Sequence, residues 1–287
     1  MMNNPQDYVV YVDTDSLYLK IGQYLTDRGV KDRFDKLDVK EQVKYVEKLS
    51  KVISSYVNDR SLTITQQSHY NSRVEDFKIV FEPEKIALTG LFASKKRYAT
   101  WTLTNDGAWK DSLSITGLEV IRSDSPEIVK PKILKILEMV LKKHSSEDIR
   151  TAINQYKAEL KQATPEEIAE NKGINQLSKY LLPDYQWRLK TPHQLKGVAN
   201  YMFLLNKFKL DGKYDAPQEG VKAKIVYLKP NKFGKDCLTF YQWPSEFDKL
   251  GIHVDYDKMI ETNFIKKVRG LLSVINKEEL LEIKGLF

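Results

Sequence analysis

The sequence predicts an α+β chain: antiparallel strands with one packed helix to about residue 122, then a mainly helical part with a small β-hairpin. Three observations predict it. Short runs of β-branched and aromatic residues fill the first part. Apolar residues at three- and four-residue steps dominate from Ser123 onward. Capping residues and prolines punctuate the later segments.

Residues 8–21, YVVYVDTDSLYLKI, read as two strands around a tight turn at Asp13-Thr14-Asp15-Ser16, whose side chains favour turns by bonding their own backbone. Val39, Val43, Val46, Leu49, Ile53, Tyr56 and Val57 predict a helix over 39–59. Strands follow over 77–89 and 97–104, and Asn105-Asp106-Gly107 turns the chain into a further short strand. Ser125-Pro126-Glu127 reads as the cap of a helix running to about Lys143, with Pro131 either kinking it or marking its true start. Ile149, Ile153, Tyr156 and Leu160 stripe a helix over 147–162. Thr164-Pro165-Glu166-Glu167 is a capping box for a shorter one, and Pro192 opens another to about Lys207. Residues 221–229 and 237–243 predict the hairpin, and the tail from Asp255 reads as helical in pieces.

Composition narrows the function classes. The 287 residues include one cysteine, Cys237, which excludes an internal disulfide framework and fits a cytoplasmic setting. No apolar run approaches the roughly 20 residues of a membrane helix, and residues 1–10 lack a secretory signal pattern. The net charge of +7 is modest, but the cations cluster. Arg188, Lys190, Lys196, Lys207, Lys209 and Lys213 face Asp211 alone over 186–213, and five lysines over 222–235, Lys232 and Lys235 among them, face no acid. Trp187, Phe203, Tyr227 and Phe233 sit among them. Such clustering is the footprint of a phosphate backbone, although charge alone reads equally as a solvated face.

The sharpest feature is Tyr11-Val12-Asp13-Thr14-Asp15-Ser16. Two carboxylates on a tight turn between apolar strands present oxygens to hard cations such as Mg²⁺. An isolated Asp-x-Asp is more often an ordinary hairpin turn. Here YVDTDSLY is similar to motif C of family B DNA polymerases. Lys95-Lys96-Arg97-Tyr98-Ala99 resembles that family's KKRY segment, and residues 116–126, TGLEVIRSDSP, its crossing from palm to thumb. RLKTPHQLKGV over 188–198 and the loop PNKFGKDC resemble the thumb tip of tailed-bacteriophage replicative polymerases. The likeness covers nearly the whole chain in order.

The resemblance implies a partial palm over 1–122 and a thumb over 123–287. It implies Asp15 as the essential ligand and catalytic carboxylate, with Asp13 supporting it and Glu84, beside Glu82, as a further acid near two Mg²⁺ ions. Lys96 and Tyr98 would hold the primer terminus, with Lys95 and Arg97 near its phosphates. Arg188, Lys190, His193, Lys196, Lys232 and Lys235 would grip the primer-template duplex. Leu286 and Phe287 would dock into a sliding clamp, or form a frayed or self-packed tail. The implied reaction adds a dNTP to a primer 3′-OH. Against the family pattern, the sequence holds no D-x-x-S-L-Y-P motif A, no fingers and no exonuclease. The chain alone is therefore expected to be inactive and to need a polypeptide supplying those parts, as in a naturally split gene; a shortened reading frame is the other explanation. A face including the hairpin and the 39–59 helix would meet that partner. The alternatives are a non-catalytic module that binds duplex DNA or a clamp, and a metal-dependent phosphohydrolase.

Overall fold

The computed structural model describes residues 7–13, 15–67, 80–118 and 125–281. It is a mixed α and β structure with antiparallel sheets, and it divides into two compact units, Met1–Gly117 and Leu118–Phe287.

The first unit begins with a two-stranded ribbon, β1 (Val9–Val12) and β2 (Leu17–Leu19), pairing Val12 with Leu17 across the turn. Short helices α1 (Ile21–Asp27) and α2 (Lys31–Phe34) lead to α3 (Val39–Gln67), longer than the expected 39–59. Its start is fixed by a reciprocal cap: Glu41 N–H donates to Asp38 Oδ1 at 2.8 Å, and Asp38 N–H to Glu41 Oε2 at 3.2 Å. A meander of β3 (Lys85–Ser94), β4 (Arg97–Asn105) and β5 (Ala108–Thr116) completes the unit, with β4 central. Leu91, Ala99, Trp101 and Leu103 are buried there. The turn at Asp106-Gly107 has positive φ at both residues, as the Asp-Gly pair predicts.

The expected strand over 77–89 is corrected. The ladder starts at Lys85, and residues 77–79 lie outside the described ones. Phe81 is held instead by the Asn58 side chain, which accepts from its N–H (2.7 Å) and donates to its carbonyl (3.0 Å). Pro83 then has no N–H to give a ladder.

The second unit packs α4 (Lys130–Leu141) on α5 (Ser146–Leu160), burying Ile133, Ile136, Leu137, Ile149, Ile153 and Leu160. Ser145 caps α5, accepting from Asp148 N–H. Ser125 does not cap a helix, contrary to expectation. It is buried and bonded to the Lys267 ammonium, so the helix starts later, with Pro131 in its first turn. The capping box at Thr164 is present and opens α6 (Pro165–Ile168).

A sheet follows in the order β10-β9-β6, made of β6 (Glu170–Gly173), β9 (Lys222–Tyr227) and β10 (Cys237–Phe240). Between β6 and β9 come α7 (Leu177–Tyr180), the two-residue strands β7 (Leu181–Leu182) and β8 (Gln186–Trp187), and α8 (His193–Phe208). Helix α8 lies on β10, where Gly197 lets the two backbones nearly touch. The thiol of Cys237 is wholly buried at this contact, near the carbonyl of His193 and the amide of Asn200; burial above all pushes its pKa up. The tail is α9 (Tyr256–Ile260), a π turn at Glu261–Ile265, and α10 (Lys266–Ser273). Among the described residues no helix is long and apolar enough to cross a membrane.

Candidate functional site

In the first unit, the Asp13–Ser16 turn is closed by Asp13 N–H donating to Ser16 O at 2.9 Å. The four-residue connection sets Asp13 half-buried and Asp15 exposed. A two-stranded ribbon is marginal alone, and this one is anchored by aromatic packing. Tyr11 lies 5.6 Å from Phe92 and 5.3 Å from Tyr98, ring centre to ring centre, and Tyr18 lies 5.3 Å and 5.5 Å from the same two rings. Burial raises the pKa of the Tyr18 phenol, and hydrogen bonding to Tyr98 adds to the effect. The alternation that predicted a strand thus puts Tyr11 and Tyr18, paired across the ribbon, on the β3–β4 hairpin.

That hairpin turns at Lys95-Lys96, between Ser94 and Arg97. Lys96 adopts φ 60°, and its N–H donates to the Tyr11 hydroxyl at 2.7 Å. The same hydroxyl donates to Asp13 Oδ2 at 3.3 Å. One tyrosine therefore links the acidic turn to the basic turn. Lys95, Lys96 and Arg97 are exposed, and Tyr98 is half-buried in the aromatic cluster. Sequence reasoning missed Tyr11, because a tyrosine in an alternating strand reads as core.

Gly117 seals the turn from beneath. It has φ +61°, and a Cβ there would lie 1.9 Å from Lys96 O. Gly117→Ala is therefore expected to push the Lys95-Lys96 turn away and to cost roughly 2–4 kcal/mol, from left-handed strain plus overpacking. Thermal unfolding measures the cost, and faster exchange of the Lys96 amide reports the lost bond to Tyr11.

Asp13 and Asp15 are the hard oxygen donors that Mg²⁺ takes. Glu84 does not join them. It is exposed beside β3 and paired with Lys85 at 3.1 Å, and among the described residues no group of three or more His, Cys, Asp or Glu converges. Glu82 is likewise exposed. The two aspartates thus fit part of a metal site.

In the second unit the cations lie against aromatic rings. Lys235 Nζ is 5.0 Å from the Trp187 ring centre and 4.3 Å from that of Phe203. Lys196 lies over Trp187 at 5.2 Å and pairs with Asp236 at 2.8 Å. Lys207 lies between Phe203 and Phe233, and Lys232 over Phe233. Such contacts hold long side chains in place while leaving their charge for an anion. Burial, then the nearby Lys196 charge, lowers the pKa of Lys235. Arg188, Lys190 and Lys232 are exposed.

Two expected phosphate ligands are less open than the rest. Lys196 is already matched by Asp236. His193 stacks at 4.8 Å on Tyr227, its Nε2 is buried without a hydrogen-bond partner, and burial lowers its pKa. A neutral, covered imidazole is a poor phosphate ligand. Proline before a helix predicted the backbone there correctly, but the covering ring comes from β9, which local sequence does not reveal.

Asn231 organises the loop after β9. Its amide donates to Lys229 O (3.0 Å) and Lys235 O (2.7 Å), and its oxygen accepts from Phe233 N–H (3.1 Å) and Lys235 N–H (3.3 Å). Asn231→Ala is expected to loosen the loop, costing about 1–3 kcal/mol of stability. Exchange of the Phe233 and Lys235 amides, with thermal unfolding, checks this.

Residues 119–124 of the TGLEVIRSDSP segment, Thr14, and the tail residues Leu286 and Phe287 lie outside the described residues. The family model for DNA polymerase family B matches residues 53–275, most of the chain and parts of both units. Comparison with curated proteins gives no match.

Proposed function

Because this chain belongs to DNA polymerase family B, we propose that it forms the motif C part of a palm, together with a thumb, in an enzyme that adds dNTPs to a primer 3′-OH. The observation that carries this reading is the Tyr11 link between two turns. Asp13 and Asp15 offer carboxylates on one, Lys95 and Lys96 offer cations on the other, and one hydroxyl bonds both. A site for in-line nucleotidyl transfer needs a metal-binding edge and a primer-holding edge in fixed relation, because misplacing the reacting oxygen by about 1 Å costs on the order of 10²-fold. Mg²⁺ held by these aspartates would activate the primer hydroxyl and steady the leaving pyrophosphate. Lys96 and Tyr98 would hold the primer end. Arg188, Lys190, Lys232 and Lys235 would hold duplex phosphates without reading sequence.

Two carboxylates do not complete such a site, and we place the missing acid, the fingers and the exonuclease on residues outside this sequence. Uncovered apolar side chains in the first unit support an interface there. Val12 is 61% exposed on the ribbon, and Val52 and Tyr56 are 67% and 69% exposed on α3. The test is primer extension with Mg²⁺ and dNTPs, using the chain alone and then with a polypeptide supplying those parts. Extension only in the mixture is the expected result. Extension by the chain alone would overturn the incomplete site. Duplex binding without extension in either case would favour a non-catalytic DNA-binding module.

A further inference from the structure

The least covered large apolar side chain among the described residues is Leu189, 91% exposed. It is held out by an ordered turn rather than by a loose one. Arg188 N–H donates to Tyr180 O at 3.1 Å. The Thr191 hydroxyl and N–H both donate to Arg188 O, at 2.6 Å and 3.3 Å. Lys190 is left-handed at φ 65°, a conformation that costs a lysine energy. Pro192 and α8 then fix the exit. A turn stiffened at both ends cannot fold its leucine back onto the protein, so the exposure is built in.

The surroundings indicate what covers it. No acid occurs from Gln186 to Lys196, while Arg188 and Lys190 flank the leucine and Lys196 and Lys235 lie on the neighbouring Trp187. A protein-docking patch gathers several apolar residues, whereas a single one between cations matches a minor groove, with sugar walls inside and phosphates along both rims. Resting on the polymerase reading above, we propose that Leu189 is an apolar wedge that enters the minor groove of the bound duplex, with Arg188 and Lys190 on the flanking phosphates. It grips DNA without reading bases, and it acts as a positioning residue remote from the acidic turn.

The test measures binding of the full chain to a short blunt DNA duplex over a range of salt. Leu189→Ala is expected to weaken binding roughly tenfold with an unchanged salt slope, because no phosphate contact is lost. Lys190→Ala should lower the slope by about one. Leu189→Trp should change its fluorescence on duplex addition, and a minor-groove dye should reverse the change. Both substitutions are at an exposed position, so the fold is not at risk. Wild-type affinity in Leu189→Ala, with binding lost in Lys190→Ala, would overturn the wedge and leave the polymerase reading standing. An equal loss on single-stranded DNA would overturn groove insertion. No duplex binding by the unaltered chain would overturn both, and a Leu189→Ala effect on self-association alone would assign the leucine to a protein contact.

Discussion

Replacing Asp15 by asparagine is expected to cut primer extension by the completed enzyme about 10³-fold, the loss of several kcal/mol of metal-borne charge stabilisation. Asparagine keeps the side chain's shape and its liking for turns, so the ribbon should persist. What goes is the charge at the exposed tip, where Asp15 stands clear of the aromatic cluster that anchors Tyr11 and Tyr18. The loss should fall on the rate constant, with duplex affinity little changed. It should also appear as a higher Mg²⁺ requirement in the residual activity. Asp13→Asn is expected to do less, because an amide oxygen can still accept from Tyr11. Single-turnover extension across a Mg²⁺ titration distinguishes these outcomes, and equal rates for Asp15→Asn and wild type would remove the acidic turn from the mechanism.

The second large effect is structural. A Cβ at Gly197 would lie 2.3 Å from Thr239 Oγ1, 2.8 Å from Thr239 N and 3.0 Å from the Leu238 carbonyl carbon. Two of these neighbours are backbone, and the third is tied down by its bond to Gln194 O at 2.8 Å. Nothing soft can yield. Gly197→Ala should therefore separate α8 from β10 and cost about 3 kcal/mol, lowering the thermal midpoint by roughly 6–12 °C. Gly270 is the control. It sits exposed on α10 with nothing within 4 Å of its would-be Cβ. Gly270→Ala should raise stability by up to about 1 kcal/mol through helix propensity. Calorimetry on the two variants should show opposite shifts; a harmless Gly197→Ala would mean that α8 and β10 slide apart at little cost.

The parts of the fold legible in the sequence are those set by local chemistry. The β1–β2 turn, the Asp106-Gly107 turn, the Thr164 box and the Pro192 helix start each depend on residues within four positions of one another. What escaped depends on distant partners. Strand β6 is the polar tetrapeptide Glu170–Gly173, with no strand pattern of its own, and becomes a strand only because β9 pairs with it. Ser125 looks like a cap until Lys267 engages its hydroxyl across 142 positions. In the candidate site the acidic and basic turns were legible as motifs. The hydroxyl that joins them was not, because Tyr11 meets Lys96 across 85 positions. Lysines were visible as charge, but Asp236 and Tyr227, which occupy Lys196 and cover His193, were not visible as their neighbours.

The depth of Cys237 has a practical consequence. It is the single thiol in the chain, and its burial and raised pKa leave almost no thiolate to react with alkylating reagents at neutral pH. A cysteine placed on the surface would then be the one group a maleimide finds. Spin labels or fluorophores could be installed at chosen points on either unit without first removing the native thiol, and distances between labels would report how the chain arranges itself on its template.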